Sequence, residues 1–260
     1  AGAFEIFIEI GTRSHLKIYQ SYLFLRLIIM KKQIPLLIPI LALFVSCLST
    51  TTALFAGEDS ALPEVEVSNV RKVFDNGVVA PPGFADAYSR FVENGWQSLE
   101  VSPEFDGMGM PSVAGAAAAE SWQSANMAFM LAPMLTSGAM FTIESHGSDE
   151  ICSTYIPKMA NGAWTGTMNL TEAQAGSDLS VVTTRAVPEG DHYRISGSKI
   201  FITWGDQDFS ENVIHLVLAR LPDAPDGVRG MSLFIVPKFL INDDGSIGDR
   251  NDVYVPSIEH

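Results

Sequence analysis

The spacing of the apolar residues changes near Trp164, and this change constrains the fold more than any other feature of the chain. Before it, apolar residues recur every three or four positions, which is typical of amphipathic helices. After it, they alternate with polar residues or form short continuous runs, which is typical of strands. The sequence therefore predicts an α+β protein in which helices precede a β region.

Four helices are predicted in the first region. The first has one apolar face that Gly95 can end, and this face comprises Phe84, Ala87, Tyr88, Phe91 and Val92. Ser112 is placed to cap a second helix, and a third is expected from about residue 132 to residue 146. Ser148 is placed to cap a fourth helix that ends before Gly162.

Several short strands are predicted in the second region. Residues 181–187 are one candidate, and residues 193–202 are predicted to form a hairpin that turns at Ser196-Gly197-Ser198. Two near-continuous apolar strands follow at 213–218 and 231–236, with a turn-rich loop between them. Because no helix intervenes, these strands predict an antiparallel sheet or a small barrel.

The net charge of -14 at pH 7 argues against a nucleic-acid partner, since binding a polyanion requires clustered Lys and Arg side chains. The charge is also uneven, because residues 1–57 carry five basic side chains and two acidic ones. Such a break in composition indicates two segments of different origin. Cys47 and Cys152 suggest no disulfide framework, and no histidine has a partner at metal-ligand spacing, so no metal site is predicted.

Residues 30–57 have the pattern of a secretory signal peptide, with lysines near the start, an apolar run over 34–48 and small residues after it. That run is short for a transmembrane helix. One interpretation treats residues 1–29 as upstream sequence, and another treats the whole head as a misassembled gene product. Residues 1–57 are therefore excluded from the fold prediction, and residues 58–70 are predicted to be an acidic linker.

The stretch "MNLTEAQAGSDL", residues 168–179, joins a predicted strand to a turn of small residues. Such a turn exposes backbone N–H groups, which suits a phosphate or pyrophosphate. Ser177 adds a hydroxyl donor, and Thr171 offers another upstream. From the residues alone, an ordinary tight connection in which Asp178 bonds its own backbone is an equally good interpretation.

Longer runs carry a family resemblance. The segments "WTGTMNLTEAQAGSDLS", "YRISGSKIFITWGD" and "HLVLARLPDAPDGVRGMSLFIVPKF" resemble the acyl-CoA dehydrogenase family, most closely its 3-methylmercaptopropionyl-CoA dehydrogenase branch. The resemblance spans roughly residues 72–260. It implies a helical domain over 71–162, partial in this sequence, and a β-barrel domain over 163–260 that binds FAD. It also implies a C-terminal helical domain that this sequence lacks, so the chain resembles a truncated member.

The resemblance implies six cofactor-binding residues, which are Leu170, Thr171, Gly176, Ser177, Phe201 and Thr203. The first two are expected to face the flavin ring, with the threonine hydroxyl as a hydrogen-bond donor. The glycine and the serine are expected at the pyrophosphate, and the serine also near the acyl-CoA substrate. The phenylalanine stands where the family usually has a tryptophan against the flavin, and stacking requires only an aromatic face.

The family reaction removes a proton and a hydride from an acyl-CoA thioester and reduces the flavin. Glu172 and Asp178 are carboxylates close to the motif, but the family takes its base from the C-terminal helical domain, so no catalytic base is assigned here. The resemblance further implies an electron-transfer flavoprotein or a similar acceptor, and a homo-oligomer. It implies a cytoplasmic location, or a mitochondrial one in a eukaryote, while the signal-like segment leaves export or membrane association open.

Two alternatives remain at this point. One is an exported, non-catalytic binding or structural protein that combines a signal peptide with a degenerate dehydrogenase core. In that case the sequon Asn169-Leu170-Thr171 could carry a glycan. The other is a membrane-anchored form in which the first 48 residues stay embedded.

Overall fold

The computed structural model describes residues 4–8, 77–256 and 258. The signal-like segment at 30–57 and the acidic linker at 58–70 lie outside the described residues. All statements below concern the described part of the chain.

In the described residues, four α-helices precede the strands that begin at Trp164, as the apolar spacing predicts. They are α1 (Phe84–Glu93), α2 (Ser112–Ala125), α3 (Met127–His146) and α4 (Asp149–Ala160). Tyr88 and Phe91 on the predicted face of α1 are buried, and Gly95 follows its end with a φ of 76°. A positive φ costs glycine little, so this residue ends the helix as predicted.

The helix starts show which capping predictions were correct. Ser148 caps α4, because its side chain accepts a hydrogen bond from the Ile151 backbone N–H at 3.3 Å. Ser112 is instead the first residue of α2 and caps nothing. α3 begins earlier than predicted because the side chain of Asn126 caps it, accepting from the Phe129 N–H at 2.9 Å.

Eight strands are present in the described residues. They are β1 (Phe4–Ile8), β2 (Trp164–Asn169), β3 (Arg185–Glu189), β4 (His192–Lys199), β5 (Asn212–Arg220), β6 (Met231–Pro237), β7 (Phe239–Ile241) and β8 (Ile247–Arg250). The two apolar strands predicted over 213–218 and 231–236 are confirmed as β5 and β6. β1 lies in the head that was excluded from the fold prediction, and its backbone pairs with β4.

The main sheet is mixed rather than antiparallel. Its strand order is β1-β4-β3-β5-β2, and β6 also pairs with β5. β2 and β5 run parallel because the chain crosses over between them, and the pairing starts at Trp164 with Asn212. Among the described strands the sheet does not close on itself, so a barrel stays a prediction.

The hairpin was predicted in the wrong place. Ser196-Gly197-Ser198 lies inside β4, and the hairpin joins β3 to β4 around Gly190. A Cβ on Gly197 would lie 2.3 Å from the Thr184 hydroxyl oxygen, so this glycine permits a close approach within the sheet. Gly197 therefore has a structural role, but that role is to allow close packing within the sheet and not to form a turn.

The core that carries the site lies between β2 and the helices α3 and α4. Trp164, Tyr155 and Met159 are almost fully buried there. Gly166 lets α3 approach β2 closely, because a Cβ at that position would lie 2.6 Å from the Ala139 Cβ. α3 has the length and composition of a membrane span, but it packs here as a core helix and fixes the strand that leads into residue 170.

Aromatic side chains join the helices to the sheet. The Trp204 indole N–H donates to the Ala128 carbonyl of α3 at 3.0 Å. Its ring also lies 5.4 Å from that of Phe84 in α1 and 5.3 Å from that of Phe209. The loop that follows β4 is therefore anchored to two helices.

Candidate functional site

The loop that follows β2 lies directly beside the end of β4. The Ile200 N–H donates to the Thr171 carbonyl at 2.9 Å. The Lys199 ammonium donates to the Leu170 carbonyl at 3.0 Å. The structure thus brings together the two predicted cofactor-binding segments, one beginning at Leu170 and the other leading to Phe201.

A closed turn presents Gly176 and Ser177 to solvent. Glu172 and Ala175 exchange two backbone hydrogen bonds of 3.0 Å, and the glycine and serine follow this turn in exposed positions. Within the described residues, no hydrogen bond uses their backbone N–H groups, and a Cβ on Gly176 would meet nothing within 4 Å. Open backbone donors of this kind suit a phosphate or pyrophosphate oxygen.

Asp178 behaves as the ordinary interpretation of this turn expected. Its Oδ1 accepts from the Ser180 N–H at 2.9 Å, and the Ser180 hydroxyl together with this N–H lowers the pKa of its carboxyl. The hydrogen-bonding groups of the turn are therefore paired within the turn at Asp178, whereas the backbone N–H groups of Gly176 and Ser177 are available to a ligand. These two interpretations of the sequence describe different ends of one turn and are compatible.

Phe201 projects from the loop after β4 with its ring largely exposed. The side chain is 66% exposed, and the backbone φ is 58°, in the left-handed region that non-glycine residues rarely adopt. Trp204 nearby also has a positive φ, of 53°. Thr203, between them, is exposed as well. A strained backbone that holds an aromatic face outward is typical of a binding position.

Glu172 is a structural anion and not a free base. Its carboxylate is 2% exposed and accepts hydrogen bonds from Lys199, from Gln174 and from both the backbone and hydroxyl groups of Thr183 and Thr184. Burial alone would raise the pKa of Glu172, but the hydrogen bonds from Lys199, Thr184 and Thr183 lower it to about 2. A carboxylate with this pKa and no open lone pair cannot abstract an α-proton.

Lys199 was missed by the sequence analysis. Its side chain is fully buried, and its ammonium lies 2.8 Å from Glu172 Oε1. Burial lowers the pKa of Lys199, and the pairing with Glu172 opposes that shift. The available signal was the position of this lysine in β4, since it shares the strand face of the buried Ile195.

His215 lies in a second buried polar group, on β5 beside β2. The Thr167 hydroxyl donates to Asn169 Oδ1 at 2.7 Å, so it accepts from His215 Nδ1 at 2.8 Å. Burial lowers the pKa of His215 to about 4, so the ring is neutral near pH 7. Within the described residues its Nε2 has no hydrogen-bond partner. This group supports the strand that leads into Leu170.

A separate concavity lies among the helices. It has a volume of about 430 Å³, and it is lined by residues that include Phe91, Trp96, Gln97, Trp122 and Phe141. None of the six predicted cofactor-binding residues lines it. The candidate site is therefore the surface formed by the β2 loop and the β4 loop.

Two models of one family match the chain. The N-terminal domain of acyl-CoA dehydrogenase matches residues 64–163, and the middle domain matches residues 167–250. The first match contains all four helices, and the second contains the turn at Gly176, the end of β4 and the loop with Phe201.

Curated relatives give the same result. A 3-methylmercaptopropionyl-CoA dehydrogenase of Ruegeria pomeroyi is 55% identical over 188 residues, which is 72% of this chain and 32% of the relative. A butyryl-CoA dehydrogenase of Syntrophomonas wolfei is 40% identical over 189 residues, which is 70% of this chain and 30% of the relative. The chain thus spans about a third of the length of these relatives.

A solved structure shares the fold. It is described as the electron transferring flavoprotein of Acidaminococcus fermentans, and it matches with a TM-score of 0.53 and 27% identity. The match covers 66% of this chain and 48% of that chain. Because the two family models together cover the helices, the turn and the β4 loop, and the curated relatives match 70% or more of the chain, the chain belongs to the acyl-CoA dehydrogenase family.

Proposed function

We propose that this chain forms part of an FAD-dependent acyl-CoA dehydrogenase, which introduces a double bond between the α- and β-carbons of an acyl-CoA thioester. One observation carries the proposal. The open backbone donors of Gly176 and Ser177 and the exposed ring of Phe201 belong to two segments that hydrogen bonds hold together at Thr171 and Ile200.

The residues at this site fit FAD. Gly176 and Ser177 would hold its pyrophosphate through their N–H groups and the serine hydroxyl. Leu170 and Thr171 would contact the flavin ring, with the threonine hydroxyl as a donor, and Phe201 would cover it with Thr203 nearby. When bound, FAD supplies the acceptor for the hydride from the β-carbon.

The described residues supply binding and orientation rather than proton abstraction. Glu172 has no open lone pair, and the hydrogen bonds of Asp178 lower the pKa of its carboxyl, which makes it a weak base. In keeping with the family pattern, we assign the base to a residue outside the described ones. The acyl-CoA is placed near Ser177, in keeping with the family pattern.

The remaining features of the proposal follow from family membership. They comprise domain limits of 71–162 and 163–260, closure of the strands into a barrel, and a homo-oligomer. The electron acceptor would be an electron-transfer flavoprotein, which the similarity to the Acidaminococcus fermentans structure supports. The location would be cytoplasmic, or mitochondrial in a eukaryote, and the reaction would belong to acyl-CoA breakdown.

Burial of Asn169 argues against the exported, glycosylated alternative. This residue is 1% exposed, and its side-chain oxygen accepts from the Thr167 hydroxyl. A glycan could not be attached there without opening the strand. The sequon is therefore best explained as part of the β2 motif.

Titration of the chain with FAD tests the proposal. Binding should quench flavin fluorescence, and Thr171→Val should weaken it about fivefold, because the isosteric change removes one hydrogen-bond donor. The matched control is Thr142→Val, since this buried threonine donates within α3 to Gly138 and lies outside both segments. In the intact protein that carries these residues, anaerobic addition of an acyl-CoA should then bleach the flavin absorbance.

Two results would contradict the proposal. One is an unaltered chain that binds no FAD while it remains folded by circular dichroism. The other is equal loss of affinity in both threonine variants, which would trace the effect to general destabilisation.

A further inference from the structure

The buried ion pair between Glu172 and Lys199 joins the two segments that hold the predicted cofactor residues. Lys199 Nζ lies 2.8 Å from Glu172 Oε1 and 3.0 Å from the Leu170 carbonyl oxygen. The exposed fractions of the two charged side chains are 0% and 2%. Glu172 directly follows Thr171, and Lys199 lies just before the loop with Phe201, so each charge is next to a predicted flavin contact.

The same carboxylate also holds a third segment. Its Oε1 accepts from the N–H of Thr184 at 3.0 Å, and its Oε2 accepts from the N–H of Thr183 at 2.7 Å. These residues lead into β3. One buried anion thus fixes the turn after β2, the start of β3 and the end of β4 relative to one another.

Stability alone does not account for this pair. A buried ion pair contributes little net stability compared with apolar side chains of similar volume, because both charges lose their hydration. The pair does fix the relative orientation of the groups it joins, because charged hydrogen bonds are short and require a particular geometry. The pair lies at the junction of the two binding segments, where it can orient one segment relative to the other.

We propose that Glu172 and Lys199 are positioning residues that set the placement of the 170–177 turn relative to the loop containing Phe201 and Thr203. This inference rests on the proposed function, because the contacts that the pair aligns are those of a flavin. Neither side chain reaches the cofactor surface, and both act through the backbone of their neighbours.

The double variant Glu172→Gln/Lys199→Met tests the proposal, with Lys199→Met alone for comparison. The single variant leaves a buried unpaired carboxylate, so its thermal midpoint should fall most. The double variant removes both charges and should recover much of that midpoint. Its FAD dissociation constant should nevertheless be raised about tenfold, because the Leu170 carbonyl and the turn have lost their charged partner.

A second measurement does not depend on flavin. In the double variant, the two hydrogen-bonded amides of the 170–177 turn, those of Glu172 and Ala175, should exchange with deuterium about tenfold faster than in the unaltered chain, while the amides of β5 keep their rates. The control is Asn251→Leu, because this buried side chain donates to the Pro237 carbonyl at 3.0 Å and accepts from the Asp252 N–H at 2.9 Å, outside both segments. It should change the thermal midpoint but leave both the FAD affinity and the 170–177 exchange within about twofold.

The outcomes separate the two proposals. Unchanged FAD affinity and unchanged exchange in the double variant would overturn the positioning role and leave the flavin function intact. Loss of affinity by the same factor in the control variant would also overturn it, because the loss of any buried polar group would then have the same effect. An unaltered chain that binds no FAD would overturn both.

Discussion

At the scale of single residues, the site is controlled by groups whose charge state burial has fixed. Glu172 stays ionised because several donors surround it, whereas His215 stays neutral because it is buried and its polar contacts, to Thr167 and Asn169, are uncharged. Both groups therefore have a pKa below the ordinary value. Glu172 lies in the β2 loop itself, and His215 lies on β5 opposite Thr167, in the strand that leads into that loop.

The free energy of unfolding should fall in two separate pH ranges as the solution is acidified. A depressed pKa means that the unfolded state binds the proton more readily, so stability is lost as the pH falls. For His215 the loss runs from about pH 6.5 to about pH 4, and for Glu172 from about pH 4.5 to about pH 2. Urea unfolding at a series of pH values measures this profile.

The His215→Gln variant isolates the first range. This variant should have a lower free energy of unfolding at pH 7. Its free energy should also fall less steeply between about pH 6.5 and pH 4, because the titrating imidazole is gone. A decline of the same slope in the variant would show that other groups cause it. The lower range should remain, because Glu172 is unchanged.

The sequence indicates candidate residues in the turn, but it does not indicate the buried groups that hold the turn in place. Gly176, Ser177 and Phe201 stand out through a local pattern and a family resemblance. The Glu172–Lys199 pair does not, because the two residues are distant in sequence and meet only when β4 lies beside the β2 loop. The left-handed backbone of Phe201 was likewise not predicted from the sequence, because phenylalanine rarely adopts a positive φ.

At the scale of elements, the packing of α3 on β2 determines where the site lies. The Gly166 N–H donates to the Thr136 hydroxyl at 3.0 Å, and the missing side chain of this glycine lets the helix lie against the strand. Helix positions were predicted well because amphipathic spacing is a local property. Strand pairing was predicted less well, because parallel pairing across a long connection depends on residues far apart.

A pair of glycine substitutions tests this packing. Gly166→Ala should lower the free energy of unfolding by about 1–3 kcal/mol, because its Cβ would crowd Ala139 and Met159. Gly138→Ala in α3 is the control, since its Cβ would meet nothing within 4 Å. That change should raise the free energy by about 0.5–1 kcal/mol through helix propensity. Equal effects in chemical denaturation would show that the close approach is unimportant.

At the scale of the whole described structure, the loop after β4 couples the helices to the sheet, in addition to the packing of α3 and α4 on β2. The loop after β4 carries Phe201 on its exposed side and Trp204 on its buried side. Asp206 in the same loop accepts from the Val78 N–H, and Tyr88 donates to the Gly162 carbonyl. The surface proposed to bind flavin is thus continuous with the joint between the two layers.

Trp204→Phe should weaken this joint without dividing the protein. The ring contacts largely remain, but the bond to the Ala128 carbonyl is lost, so the free energy of unfolding should fall by about 0.5–1.5 kcal/mol. Circular dichroism and intrinsic fluorescence should still report one transition. Trp96→Phe is the control, because this partly exposed tryptophan contacts Trp122 within the helical part. Separate transitions for helix and sheet would contradict the coupling.

The parallel pairing of β2 with β5 also has a consequence for the order of folding. During synthesis β2 leaves the ribosome first, but its partner on the sheet follows only after the β3–β4 hairpin has been made. Contacts between distant segments form late because a long loop must first be closed. One face of β2 can meanwhile be covered by α3 and α4, which precede it, whereas its hydrogen-bonding edge stays open. A nascent chain paused within 170–211 would expose that edge, so this interval is where aggregation or chaperone binding is expected.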